Sequence, residues 1–370
     1  MLENYGITIA ITTYQAGKLV FLRAERSEGT PVVNTHFRHF GRPMGFAWEP
    51  GRFSLGTTSE IWEFHDIPAA ARKLDSASSK RLHDAAYLPR HCHFTGDIQI
   101  HEMAWVPVVP VAGGARSPEP SRLWFINTRF SCLATRSNQY SFEPKWKPSF
   151  ITAFAPQDRC HLNGMCIRDG IVRYVTALGE SDAPGGWREE KGSGGILIDV
   201  KSDEIIARGL SMPHSPRWHD GKLWVLESGV GGVGIIDPST GRYQEVCRLP
   251  GFTRGLDFDG PYAFVGLSQV RESATFSGIA IAERPQNERC CGVWMIDTRS
   301  GQIAGFVKFT DALQEIFAVQ VLAGVRWPDV LSENQERIAD TYELSNEVLQ
   351  QVPAELRESS GQLPGRTHAI

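Results

Sequence analysis

Three histidines stand in matching places along the chain. His101, His161 and His214 each sit at the head of a short apolar run that follows a polar loop. Imidazoles brought to one point from different segments suit a divalent metal ion such as zinc, iron or manganese. Glu102, beside His101, supplies a carboxylate to complete such a shell. An oxygen set of Glu102, Asn163, Glu180 and Glu315 suits a hard cation such as calcium instead. The competing role for the histidines is to bond neighbouring backbone and stitch segments together. The competing role for the carboxylates is pairing with Arg42, Arg129, Arg254 and Arg271.

Those arginines have chemistry of their own, because a guanidinium fork holds a carboxylate or similar anion bidentately. The expected site divides accordingly. His101, His161 and His214 hold a metal, and Glu102, Glu180 and Arg254 carry catalysis. Arg42, Asn127, Arg129, Asn163, Trp187 and Arg271 bind the substrate. Trp187 lies in a Gly-rich stretch, GESDAPGGWREEKGSGG, which follows a strand pattern without opening a helix. It is therefore not a nucleotide-phosphate loop, and its indole is either a lid or a packed anchor. Cys132 is a candidate thiol nucleophile near Arg129, set against the reading of a buried inert thiol. Sequence neighbours on a strand face opposite ways, so Cys160–His161 and Cys92–His93 are not ready dyads. No Gly-x-Ser-x-Gly elbow occurs.

The elements that must position these residues are strands. Gly and Pro punctuate the whole chain, and β-branched and aromatic runs recur between turn signals. Six segments align as innermost strands: PMGFAW, IHEMAW, LNGMCI, HSPRWH, TRGLDF and EIFAVQ. In this alignment His161 and His214 fall one or two positions earlier than His101. Second strands follow most of them, among them RLWFINTR, VRYVTALGE and KLWVLESG. The last unit has only its inner strand, whereas the N-terminus carries three unassigned strands, ITIAITTY, GKLVFLRA and PVVNTHFRHF. Pairing the two ends closes a ring and removes open edges. The fold class is thus all-β, a six-bladed β-propeller closed by pairing N-terminal strands with the last inner strand. A pair of β-sandwiches is the alternative. Residues 1–330 form the propeller domain, and residues 331–370 a C-terminal amphipathic helix with a polar tail. A short helix is expected near residues 66–90.

Composition narrows the function. The chain has 370 residues, 41% hydrophobic and 22% charged, with a net charge of −4. That balance offers no broad attraction for nucleic acid or an anionic membrane, and no apolar run is long enough to span a bilayer. The N-terminus shows no signal-peptide pattern. Seven irregularly spaced cysteines without a Cys-x-x-Cys pair point to reduced thiols and a cytoplasmic location. The expected function is a metal-dependent enzyme of hydrolase, lyase or isomerase type, favoured over an oxygenase. It acts on a small polar anionic substrate at the central mouth. The alternative is a non-catalytic binding or scaffold propeller that captures an anionic ligand or peptide.

The phrases LWFINTRFSCLAT, RCHLNGMC, TALGESDAPGGWRE, GLSMPHSPRWHDGKLWVLESG, PGFTRGL and EIFAVQVLAGVRWPDV span nearly the whole propeller region. Together they resemble a bacterial family of propeller-like proteins classed as a domain of unknown function. The resemblance implies a β-propeller and carries no assigned reaction. More distantly the layout is similar to lactonases of the gluconolactonase type, six-bladed propellers with an axial divalent cation. Glu102 and Asn163 match ligand types of that group, while the His-rich mouth departs from it. Seven-bladed oxygenases with axial His-ligated iron are the other analogy of fold.

Overall fold

Short inner strands, each preceded by a polar loop, ring a common axis because every blade buries both of its faces against neighbours. The structure, a computed structural model, describes residues 2–75, 82–108, 121–270 and 277–354. Its strands form six sheets, which are the six blades of a propeller. The inner strands of blades 1 to 5 are Phe46–Glu49, Ile100–Pro107, Leu162–Arg168, Pro213–His219 and Phe252–Asp259, and that of blade 6 is Ala318–Ala323. All six fall on the segments expected from the sequence.

Burial follows from position in the blade. Second strands lie between sheets on both faces and are buried along most of their length. Arg52–Gly56 and Ile7–Thr13 are buried throughout. Outermost strands such as Tyr243–Arg248 meet solvent, and none of the residues in that strand is buried. Each blade interface carries its own apolar cluster. Ile9, Val20, Val293 and Met295 pack between blades 5 and 6. Phe21, Phe53 and Tyr87 pack between blades 6 and 1. A fully buried side chain of this kind contributes about 1.5–3 kcal/mol, so the ring is held by many local interfaces.

The closing blade takes its inner strand from one end of the chain and three strands from the other. Ala318–Ala323 pairs antiparallel with Ile7–Thr13, which continues into Lys18–Ser27 and Thr30–His39. A second closure lies beyond the expected one. Pro328–Val330 crosses to blade 1 and pairs parallel with residues 85–87 of its outermost strand, Ala85–Phe94. Asp329 is gripped there by His36 (2.9 Å) and Arg38 (2.5 Å), both from blade 6.

One expectation is met in part, and one needs correction. A helix does form at Pro68–Leu74, but residues 85–94 of the same region complete blade 1. His93 thus lies on an outermost strand, bonded to the Ser141 carbonyl (2.7 Å), and away from the axis. The C-terminal region is not one helix. Its described residues hold two short ones, Gln335–Ala339 and Asn346–Leu349, with side-chain caps from Asn334 and Ser345. The chain between them is held by Glu343, which bonds His65 (2.6 Å) and Arg90 (3.1 Å) on blade 1. Each cap starts a new helix, and the anchored Glu343 keeps the two from joining.

Candidate functional site at the axial mouth

The residues at the mouth are aimed by irregularities in the inner strands. In blade 2, Ile100 opposes Asn127 and Met103 opposes Phe125, so His101 and Glu102 together face one partner residue. In blade 5 the same offset sets Arg254 and Gly255 against Gly266. Blade 3 inserts Asn163 between Leu162 and Gly164. A bulge of this kind re-aims a side chain out of the regular alternation. Gly255 is required in its bulge. Its φ is +80°, and a Cβ would stand 2.6 Å from the backbone nitrogen of Val319.

His101 and His214 occupy the same place, second residue of their inner strands, and His161 lies one residue before its strand. This corrects the alignment made from sequence. His101 Nδ1 lies 2.9 Å from the Gln99 carbonyl and 2.7 Å from Thr128 Oγ1. Thr128 already donates its proton to the Leu162 carbonyl (2.6 Å), so both neighbours of Nδ1 are acceptors there. The proton therefore sits on Nδ1, and Nε2 keeps its lone pair. His214 repeats the pattern with the Met212 carbonyl (2.9 Å) and Ser228 Oγ (3.0 Å), which donates to the Thr253 carbonyl (2.5 Å). Burial, and then the positive charge of Arg254, holds both imidazoles well below the ordinary histidine range. Both line the axial cavity, whose inner space of about 20 Å³ has room for about one water.

His161 is built differently. Its Nδ1 lies 2.9 and 3.1 Å from the two carboxylate oxygens of Asp158, three residues earlier. Asp158 is buried and also accepts a hydrogen bond from Trp187 Nε1 (3.0 Å). The His161 ring packs 4.5 Å from Trp187 and edge-on, 4.9 Å, from His101. Asp158 and His161 both have left-handed backbone, φ 48° and 51°, a region that Asp and His enter more readily than most residues. The indole is a packed anchor that fixes Asp158, and Arg188 lies over its outer face at 4.4 Å.

Arg254 lies flat on Phe317, its guanidinium carbon 3.6 Å from the ring centroid. It makes no hydrogen bond or ion pair with a described residue, and burial lowers it from the ordinary arginine range. Phe317 also meets His101 (5.1 Å) and Tyr14 (5.9 Å), and Arg42 lies 5.7 Å from the Tyr14 ring. Glu315, two residues before Phe317, is 5% exposed. Its Oε2 accepts from Thr13 Oγ1 (2.9 Å) and the Gln15 backbone (3.2 Å), and its Oε1 is buried without a partner. Burial pushes it up to about 7, against the pull of Arg254 and these donors.

The structure thus gathers His101, His161, His214, Trp187 and Arg254, with Arg42 at the rim. Glu102 and Asn163 line the cavity too, already engaged. Glu102 accepts from Arg217 (2.8 Å) and the Met165 backbone (2.8 Å). Asn163 donates to the Pro213 carbonyl and accepts from Thr176. Asn127 is buried, accepts from the Phe130 backbone, and leaves Nδ2 unpartnered. Arg129 pairs with Asp97 (2.6 Å) and Glu180 with Arg208, so neither is brought into the central group. Arg271 lies outside the described residues. Cys132 is fully buried and pushed up to about 12, the inert-thiol case. Sequence reasoning missed Asp158, Tyr14 and Phe317. The Asp-x-x-His spacing of residues 158–161 was the available signal for the first.

Among the described residues, no three or more His, Cys, Asp or Glu side chains stand close enough to share one metal ion. All seven cysteines are free. No helix among the described residues is long and apolar enough to cross a membrane.

Fold and mouth together define a six-bladed β-propeller with a polar axial site. The chain belongs to the family described as "Domain of unknown function (DUF4915)", whose model matches residues 1–331. No curated protein matches the chain. Among solved structures, a chain of the nidogen/laminin complex is similar in fold, with a TM-score of 0.52 and 9% identity over 86% of this chain and 99% of that one. A protein of unknown function from Bacteroides caccae matches at a TM-score of 0.48 and 8% identity, over 85% of this chain and 98% of its own. Virginiamycin B lyase from Staphylococcus aureus matches at 0.38 and 12% identity, over 69% and 71%. These identities speak for fold alone, the last two not even for that.

Proposed function

We propose that the axial mouth binds a small anionic substrate on Arg254 and that His161, oriented by Asp158, moves a proton on it. The reaction class is then hydrolase, lyase or isomerase. The observation that carries the reading is Arg254, an arginine drawn into the mouth with no counter-ion among the described residues. Guanidinium keeps its charge even when desolvated, so it is poised for an anion arriving from outside. His161 has the arrangement a general base needs, Nδ1–H on a carboxylate and Nε2 open.

The test is thermal stabilisation by sulfate, phosphate and acetate in wild type and Arg254→Gln. A ligand at about a hundred times its dissociation constant stabilises the fold by about 2.7 kcal/mol. Stabilisation of wild type alone supports the reading, and equal shifts in both proteins overturn it. Binding retained in a protein that never turns over any component of a metabolite extract returns the alternative, a non-catalytic propeller for an anionic ligand.

A divalent metal forms a second reading, favoured by one observation. His101 and His214 both hold Nδ1–H on a carbonyl, the tautomer in which imidazole offers Nε2 to a metal. Metal content after expression with zinc, iron, manganese and calcium tests it. A stoichiometric ion lost in His101→Ala and His214→Ala would replace the anion reading.

A further inference from the structure

An arginine and a carboxyl group are both held near Phe317 without touching each other. Arg254 is fixed on Phe317 and Glu315 is fixed by Thr13 and Gln15, two residues away in sequence from that same Phe317. Each acts electrostatically on the other, yet no nitrogen–oxygen approach between them reaches the 4.0 Å of an ion pair. Arg254 has no hydrogen-bond partner among the described residues, and Glu315 Oε1 is buried with none. Buried opposite charges gain much by closing on each other in a poorly solvated site. Here each is pinned by its own support, the ring on one side and two donors on the other. The open pair thus offers an unfilled acceptor, Glu315 Oε1, and unfilled donors on Arg254.

We propose that Glu315 is the second recognition point of the axial site, and that the ligand carries a carboxylate beside a hydrogen-bond donor, as an α-amino or α-hydroxy acid does. The carboxylate lies on Arg254, and the neighbouring ammonium or hydroxyl donates to Glu315 Oε1. A ligand with the carboxylate alone satisfies one of the two groups and leaves the other unmet. A buried unpaired group rejects such an analogue strongly, because its desolvation is not repaid. The inner cavity of about 20 Å³, which Arg254 and Phe317 line, is too small for such a molecule, so the ligand is held outside it. The inference rests on the anion-binding reading and specifies its substrate class.

Propionate, lactate and alanine share a three-carbon skeleton and differ at one atom, which makes them the probes. Their affinities are measured by protein-observed NMR titration at pH 7.5, with sulfate as a reference anion. Wild type is expected to bind alanine or lactate at least tenfold more tightly than propionate. The better of the two tells an ammonium from a hydroxyl. Glu315→Gln should reduce that preference to less than threefold and leave propionate unchanged, while Arg254→Gln should lose all three. Thr13→Val is the second variant. It removes one support of Oε2 without touching the carboxylate, and should lower the preference in the same direction. Equal affinity for the three probes overturns the inference and leaves the anion reading standing. So does Arg254-dependent binding of sulfate with none of the three. Absence of any Arg254-dependent binding overturns both.

Discussion

His101 and His214 make the same pair of contacts two blades apart. Each gives its Nδ1 proton to the carbonyl two residues earlier, and each meets a hydroxyl that donates to the next blade. The imidazoles are therefore part of the seams between blades 2 and 3 and between blades 4 and 5. Replacing either with Ala leaves buried groups without a partner, at about 1–3 kcal/mol each. With blade 3 between them, the two losses should add in the double variant. Urea denaturation of both single variants and the double variant checks this. Unchanged midpoints would show that the seams do not depend on the rings.

The same pair sets an acid limit. Both rings are held below the ordinary histidine value, so the folded protein binds fewer protons than the unfolded chain. Their contribution is present above the unfolded value of about 6.5 and is lost as the pH falls below it. His214→Asn should flatten that part of the curve of stability against pH.

Glu315 acts in the opposite direction. Its folded value of about 7 exceeds the ordinary 4.5, so the folded state keeps a proton that the unfolded chain has released. Its contribution is complete below about 4.5 and is lost as the pH rises to about 7, a change of about 3 kcal/mol. Glu315→Gln should remove this fall and stabilise the protein at pH 8 relative to wild type. Parallel curves for the two proteins across pH 4.5–8 would contradict the burial argument.

Ring closure predicts a further failure mode. Deleting residues 1–40 removes the strands that pair with Ala318–Ala323 and uncovers the clusters shared by blades 5, 6 and 1. The truncated chain should lose its sharp unfolding transition and self-associate, because an unpaired apolar strand is a template for another chain. Monomeric, cooperative unfolding of the truncated protein in calorimetry and sedimentation would refute the closure argument.

The blades were legible because buried strands leave a periodic trace in sequence. LNGMCI and HSPRWH announce inner strands, and the surplus N-terminal strands announce the closure. The pairing of Pro328–Val330 with blade 1 was not legible, since three residues in parallel register leave no alternation to read. At the site, residue types on inner-strand heads marked His101, His161, His214 and Arg254. Counting along strands assumed regular alternation, and the bulges at His101–Glu102 and Arg254–Gly255 break it. Partners from distant loops were hidden for the same reason. Nothing local in Glu102 shows that it will pair with Arg217, two blades away.

Asp158 gives the last prediction, because it separates orientation from binding at His161. Its carboxylate holds Nδ1–H and is itself fixed by the Trp187 indole. Asp158→Asn preserves size and can still hold the ring, but an amide nitrogen facing Nδ1 favours the other tautomer and puts the proton on Nε2. A general base loses its lone pair in that state, as when a carboxylate orienting a catalytic histidine is replaced by its amide, a change worth about 10⁴ in rate. Once a turned-over anion is found, kcat should fall by at least a hundredfold in Asp158→Asn while KM moves little, because Arg254 is untouched. His161→Gln should match that loss in kcat, and combining the two changes should add little. A rise in KM with kcat preserved would place Asp158 in substrate binding and remove His161 from the proton transfer.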